Sequence, residues 1–281
     1  MTYQECYDWG KETLEQAEIS EAALDARLLL EHVFLLDLNG LLMRGAEEAD
    51  DGNLSVYQRL IHKRTEHTPL QHLTGLQNFM GLDFKVNEHV LVPRQDTETL
   101  VEEVLRELSD GMRILDMCTG SGCILISLLH YTNDCQGVGV DISQDALAVA
   151  RENAESLLGE KAESVVFLSG DLFEPVSGKF EFIVSNPPYI ASEVISTLMP
   201  EVRAHEPIMA LDGGEDGLRF YRRISEESKK YLKNGGMLYF EIGHDQADAV
   251  SELMESMGFR EIRVVKDLAG LDRVVYGTYI E

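Results

Sequence analysis

Two short runs in this chain of 281 residues combine the residue types that site chemistry needs. The first, Ile114-Leu115-Asp116-Met117-Cys118-Thr119-Gly120-Ser121-Gly122-Cys123, reads as an apolar strand that ends in a turn of small residues and opens a helix. Glycines in such a turn let backbone N–H groups approach a ligand at the helix N-terminus. Asp141 follows Gly122 by 19 residues, at the end of the next strand-like segment, where a carboxylate can accept hydrogen bonds from both hydroxyls of a ribose. A nucleoside-containing ligand is implied. The third glycine of the dinucleotide fingerprint is missing, Leu125 standing in its place, which argues against a pyrophosphate-bearing cofactor. Without further support the same residues would describe a tight strand-to-helix turn and a solvated acid.

The second run, Asn186-Pro187-Pro188-Tyr189, directly follows the buried-looking strand Phe182-Ile183-Val184. Each proline removes an N–H donor and fixes φ, and the residue before a proline is pushed to extended geometry. Such a turn presents acceptors rigidly. An NH2 group needs two acceptors to hold it, and the Asn186 side-chain oxygen and the Pro187 carbonyl can supply them. Tyr189 adds a flat wall for a planar target. The bland alternative is an exposed Pro-Pro turn that only terminates a strand.

The elements around these runs predict an α/β fold with a small helical domain in front of it. Residues 1–70 read as helices: Leu24, Leu28, Leu29, Val33 and Leu36 repeat at helical spacing, Ser20 is placed to cap the start and Asn39-Gly40 to stop it. A further helix begins near Asn53, after a charged run, Glu47, Glu48, Asp50 and Asp51, that reads as a solvated loop. Residues 71–93, with Phe79, Phe84, Val86 and Val90 among Gly75, Gly81 and Asn87, predict a hairpin connector. From residue 94 to 281 a helix capped by Asp96 leads into alternating strands and helices. Strands are expected at 113–117, 137–141, 164–168, 180–185, 236–242, 261–266 and 273–279, and helices at 121–130, 143–157, 217–231 and 245–257. That alternation predicts a doubly wound, mostly parallel seven-stranded sheet. The link Asp267 to Asp272 is too short for a parallel crossover, so the last two strands should pair antiparallel.

Composition excludes several classes. Hydrophobic residues make up 44% and charged residues 26%, ordinary globular usage. The 24 Lys and Arg against 50 Asp and Glu leave a formal charge of −26, which disfavours phosphate backbones and anionic membranes as partners. A protein partner or a small ligand is favoured instead. Cys6, Cys118, Cys123 and Cys135 lack CxxC spacing and disulfide-scaffold density, implying free thiols in a reducing compartment. No apolar run reaches membrane-spanning length and no leader is visible, so the cytoplasm is the expected location. His62, His67 and His72 recur at intervals of five, which scatters them around a helix and speaks against a metal site.

Taken together, Asp116 to Gly122, Asp141 and Asn186 to Tyr189 resemble the S-adenosylmethionine-dependent methyltransferases that act on planar nitrogens. More residues narrow the resemblance: Pro69 to Gly75, Val92 to Glu98, Glu206-Pro207, Ala210 to Gly214, Glu241-Ile242-Gly243 and Asp25 to Leu30. With these the chain is similar, over nearly its whole length, to the release factor glutamine methyltransferase family. That resemblance implies a Rossmann-like methyltransferase sheet, S-adenosyl-L-methionine as cofactor and S-adenosyl-L-homocysteine as its product. It implies methylation of the side-chain amide nitrogen of the glutamine in the Gly-Gly-Gln motif of peptide chain release factors. The loop Cys118, Thr119, Gly120, Ser121 and Gly122 would surround the methionine part of the cofactor, Asp141 the ribose, and Asp171 with Leu172 the adenine. Asn186, Pro187, Pro188 and Tyr189 would hold the substrate glutamine, Asn186 also bordering the cofactor, and the helical segment 1–70 would dock the release factor. Cys118 stands where many members have glycine, and Gln95 where many have proline.

Three other functions compete. A glutamine methyltransferase acting on a ribosomal protein would share the Asn-Pro-Pro-Tyr turn. A DNA adenine amino methyltransferase would need a basic recognition region, which the charge of −26 disfavours. A cofactor-binding scaffold without catalysis would have no use for an intact Asn186 to Tyr189. Arg94 either meets the substrate backbone or pairs with Asp96 and Glu98, and Glu241 and His244 are either structural or part of the crevice. Gly213-Gly214 mark a turn.

Overall fold

The computed structural model describes residues 1–281, which form two compact units. The first comprises Met1–Leu76 and the returning segment Met199–His205. Its helices are α1 (Tyr3–Gln16), α2 (Ala22–Phe34), α3 (Leu38–Arg44), α4 (Asp51–Thr65) and α5 (Leu70–Thr74). A reciprocal cap starts α1: Thr2 Oγ1 accepts from the Glu5 amide at 3.2 Å and the Glu5 carboxylate accepts from the Thr2 amide at 2.9 Å. Ala22, Ala26, Leu29 and Leu30 on one face of α2 are buried against Leu14, Tyr57 and Ile61. Inside this unit Arg64 Nε donates to Asp25 Oδ2 at 2.7 Å and Arg64 also pairs with Glu201.

The helix ends of this unit differ from the local sequence signals. Ser20 does not cap α2; Glu21 precedes the helix and makes no side-chain cap bond. Asn39-Gly40 do not stop it either, because they lie inside α3, and the break is Leu35 in the left-handed region at φ 53°. The reversal at Leu35 comes four residues before the Asn-Gly pair, and it directly precedes Leu36, which is buried.

The second unit is Gln77–Leu198 with Glu206–Glu281. It includes a hairpin of β1 (Leu76–Phe79) and β2 (Leu82–Lys85), closed at Met80 and Gly81, both at positive φ as a two-residue hairpin turn requires. Phe79 and Phe84 of this hairpin are wholly buried, with ring centroids 6.0 Å apart. The segment 71–93 therefore divides between α5 in the first unit and the hairpin in the second. A 3-10 turn, Gln95–Thr97, comes next and contains Asp96, so Asp96 is not the cap of α6 (Glu98–Glu107).

The sheet follows with β3 (Arg113–Met117), α7 (Cys123–His130), β4 (Gln136–Asp141), α8 (Gln144–Leu158), β5 (Val165–Ser169) and β6 (Phe180–Ser185). After α9 (Pro200–His205) of the first unit, the chain adds α10 (Arg219–Ser228), β7 (Leu232–Glu241), α11 (Ala247–Ser256), β8 (Phe259–Lys266) and β9 (Asp272–Tyr279). Strand order is β5-β4-β3-β6-β7-β9-β8, parallel through β7, with β9 antiparallel to both β7 and β8. This is the doubly wound, mostly parallel seven-stranded sheet expected. Alternate residues feed opposite faces: Ile114, Phe182 and Val184 meet α6, α7 and α8, whereas Leu115, Met117 and Ile183 meet α10 and α11. No helix is long and apolar enough to cross a membrane.

The strand order reverses between β3 and β6, whose ends are in register at Met117 and Ser185. A crevice opens at such a switch point, beyond the carboxyl ends of the strands. Both sequence motifs leave the sheet there.

Candidate active site

β3 ends in a loop of strained backbone. Cys118 has φ 60°, the left-handed region that favours glycine, and carries a side chain there regardless. Gly122, the residue before α7, has φ 79°, and a Cβ on it would lie 2.8 Å from Ile126 Cδ1. Beneath the loop Asp116 is wholly buried; its Oδ2 accepts from Thr119 Oγ1 at 2.6 Å and its Oδ1 has no partner. Burial pushes the Asp116 carboxyl up to about 7, against the Thr119 hydrogen bond.

Asp141 ends β4 beside this loop. Its Oδ2 accepts from the Gly120 amide at 2.9 Å and its Oδ1 from the Ser143 amide at 2.9 Å. Each oxygen keeps a lone pair, so the carboxylate is aimed by the backbone and still able to accept. Burial raises its pKa while those amides oppose the rise. Past β5, Leu172 is buried at φ 53°, and Asp171 is gripped by Arg223 through two parallel bonds of 2.9 Å. Sequence reasoning did not anticipate that ion pair.

β6 delivers the Asn186 turn. Ser185 Oγ donates to Met117 O at 2.7 Å, tying the two strand ends together, and Asn186 Nδ2 donates to Thr97 Oγ1 at 3.4 Å. The backbone of Tyr189 is locked from behind: Gln246 Nε2 donates to its carbonyl at 3.0 Å, and the Gly243 amide donates to Gln246 Oε1 at 2.9 Å. Tyr221 Oη donates to Glu241 O at 2.9 Å, joining β7 to the same support. Ala210 to Gly214 do more than turn: the Ile190 amide donates to Leu211 O at 3.0 Å and the Gly213 amide to Ile190 O at 2.8 Å. Gly217 has φ 73°, and a Cβ there would be 2.4 Å from the Tyr189 carbonyl oxygen, so only glycine allows this approach.

These parts surround one cavity of about 570 Å³, a size suited to a ligand of cofactor dimensions. Cys118, Thr119, Gly120 and Ser121 line it together with Asp141, Asp171, Leu172, Asn186 and Pro188. Gly122, Pro187 and Tyr189 are not on its wall; Gly122 shapes the loop, and Pro187 is buried beside Asn186. The wall adds residues the motifs did not name, among them Thr97, Ile208, Met209 and Phe220. Ile208 and Met209 are 61% and 56% exposed, an apolar lip. Arg94 pairs with neither Asp96 nor Glu98: its Nη2 donates to both oxygens of Glu206 at 2.9 and 2.8 Å. His244 is exposed, whereas Glu241 is 2% exposed, and burial lifts its carboxyl to about 7 against Thr97, Arg273 and Asn186, which pull it down.

The donor set fits S-adenosyl-L-methionine. A backbone-aimed carboxylate suits a ribose, Leu172 and the aliphatic wall suit a planar base, and beneath the loop the buried Asp116 Oδ1 has no partner within the protein.

Comparison with known proteins shows the family and the fold. Residues 5–75 match the model of the PrmC N-terminal domain and residues 95–202 that of the methyltransferase small domain. The chain is 44% identical over 256 residues to the release factor glutamine methyltransferase of Clostridium acetobutylicum, covering 89% of each. It is 40% identical over 281 residues to that of Caulobacter vibrioides, covering 99% of this chain and 96% of the relative. Among solved structures, a methyltransferase from Pyrococcus furiosus superposes with a TM-score of 0.53 at 18% identity, over 72% of this chain and 91% of that one, a likeness of fold.

Proposed function

The chain belongs to the release factor glutamine methyltransferase family, and on that premise we propose that it methylates the side-chain amide nitrogen of the glutamine in the Gly-Gly-Gln motif of a peptide chain release factor. The methyl donor is S-adenosyl-L-methionine and the product S-adenosyl-L-homocysteine. One observation carries the proposal: a braced Asn186 turn opens on the same cavity as Asp141 and the loop Cys118 to Ser121.

The amide nitrogen of glutamine is a poor nucleophile, because its lone pair is delocalised into the carbonyl as in a peptide bond. When bound, S-adenosyl-L-methionine supplies a sulfonium methyl that is already activated. What remains for the protein is orientation. Asn186 Oδ1 and the Pro187 carbonyl accept the two NH2 hydrogens, aim the nitrogen at the methyl and favour its pyramidalisation. Orientation of this kind contributes on the order of 7–11 kcal/mol in well-placed reactants. Asp141 accepts the ribose hydroxyls, Asp171 and Leu172 flank the adenine, and Tyr189 with Pro188 stiffens the substrate turn. The proton of the N-methylated amidium, a strong acid, leaves to water.

Docking of the release factor is assigned to the first unit, in the cytoplasm. The test is transfer of labelled methyl to a purified release factor, located by peptide mass spectrometry. Asn186→Ala should lose transfer while keeping cofactor affinity, and Asp141→Ala should mainly lose affinity. A methyl found elsewhere than the Gly-Gly-Gln glutamine refutes the substrate assignment.

A further inference from the structure

The function proposed for Asn186 requires its side-chain oxygen, and not its NH2, to face the cavity. The two ends of an amide side chain have nearly the same shape, so something must choose between them. The choice lies behind the residue. Asn186 Nδ2 donates to Thr97 Oγ1 at 3.4 Å, Thr97 is 2% exposed, and the Glu241 carboxyl at the end of β7 faces both side chains. Glu241 Oε2 is buried without a hydrogen-bond partner. Arg273, the cation that faces it, is committed through Nε and Nη2 to Asp267 Oδ2 at 3.1 and 3.0 Å.

At a pH well above the value of about 7 to which burial lifts it, the Glu241 carboxyl is ionised and only accepts, so every neighbour that meets it must donate. Thr97 has a single hydroxyl proton. Giving that proton to Glu241 leaves its oxygen lone pairs for Asn186 Nδ2, and the amide oxygen of Asn186 is then the end left for the cavity. We infer that Thr97 and Glu241 are positioning residues, a one-way hydrogen-bond relay from Asn186 Nδ2 through Thr97 Oγ1 to the Glu241 carboxylate that sets the polarity of Asn186 toward the substrate amide. Without the relay the amide can turn over and meet the substrate NH2 donor to donor. The inference rests on the role given to Asn186 above.

The experiment is steady-state methylation of a purified release factor at pH 8.5, with S-adenosyl-L-homocysteine affinity measured by calorimetry, for Glu241→Gln, Thr97→Val, Thr97→Ser, the Thr97→Val/Glu241→Gln pair and Asn186→Ala. Glutamine keeps the shape of Glu241 but offers both a donor and an acceptor, and valine keeps the shape of Thr97 without a hydroxyl. Each should lower kcat by about tenfold or more through misorientation, with cofactor affinity within about threefold of wild type. Thr97→Ser should recover most of the kcat that Thr97→Val loses. The pair should be little worse than its worse member, because both act on one relay. Should Glu241→Gln fail to fold, the two Thr97 variants decide. The relay is refuted if Thr97→Ser is as damaging as Thr97→Val, or if kcat and cofactor affinity fall together. A wild-type rate in Asn186→Ala refutes the role of Asn186 and the relay with it, whereas loss there with normal rates in Glu241→Gln and Thr97→Val refutes the relay alone.

Discussion

Replacing Gly217 by alanine tests whether the support behind the Asn186 turn matters to catalysis. The added Cβ would sit 2.4 Å from the Tyr189 carbonyl oxygen and 2.8 Å from Gln246 Nε2, and ordinary contact begins near 3.4 Å. The Tyr189 carbonyl must therefore move by about 1 Å, away from the Gln246 donor that now holds it at 3.0 Å. The left-handed φ of 73° adds a backbone cost of about 1–2 kcal/mol for a residue with a side chain. A displacement of about 1 Å in a positioning element can cost on the order of 100-fold in rate, equivalent to about 2.7 kcal/mol in the barrier. The cofactor wall at Asp141 and Gly120 hangs from β3 and β4 and is braced separately. Methyl transfer should thus fall by about two orders of magnitude while S-adenosyl-L-homocysteine affinity changes little. Single-turnover transfer and calorimetry on the same preparation make the comparison, with a thermal melt to establish folding. A folded Gly217→Ala protein with wild-type transfer, or one whose cofactor affinity falls as steeply as its rate, would show that the Tyr189 backbone is not held for catalysis.

Other expectations concern stability and docking. Arg64→Met leaves Asp25 buried without its cation and should destabilise the first unit by about 3 kcal/mol in urea titration, while Asp25→Leu added to it should recover much of the loss. Asp116 is held near 7 when folded and titrates near 4 when unfolded, so its contribution to stability is full below about 4 and is lost as the pH rises through about 7. Asp116→Asn cannot titrate; denaturation curves should show the variant gaining on the wild type between those pH values, and a constant difference would mean Asp116 is ionised throughout. On α3, Leu42 and Met43 are 74% and 86% exposed. If the first unit docks the substrate, Leu42→Asp with Met43→Asp should raise KM for the release factor without changing cofactor affinity, and an unchanged KM would place docking elsewhere.

The sequence by itself determined the parts whose physics is local. Alternating apolar runs specify strands and helices because burial on two faces demands that pattern, and the short link between β8 and β9 allows only antiparallel pairing. The small-residue turn after β3, Asp141 and the Asn186-Pro187-Pro188-Tyr189 turn were legible because their chemistry depends on neighbours along the chain. Tertiary structure decided what holds those groups. Thr97 reaches Asn186 across 89 residues, Gln246 reaches Tyr189 across 57, and Arg94 finds Glu206 across 112 rather than the acids beside it. Such partners have no periodic signature, because a hydrogen bond is specified by where folded strands end and not by spacing. The same reason explains the misplaced helix ends. Asn39-Gly40 carry the local signal for a stop, but the left-handed Leu35 beside the buried Leu36 ends α2 earlier; at the other end Ser20 makes no cap bond and Glu21 precedes the helix. Capping contributes about 1 kcal/mol, whereas burying one leucine contributes about 2, so packing wins where the two disagree.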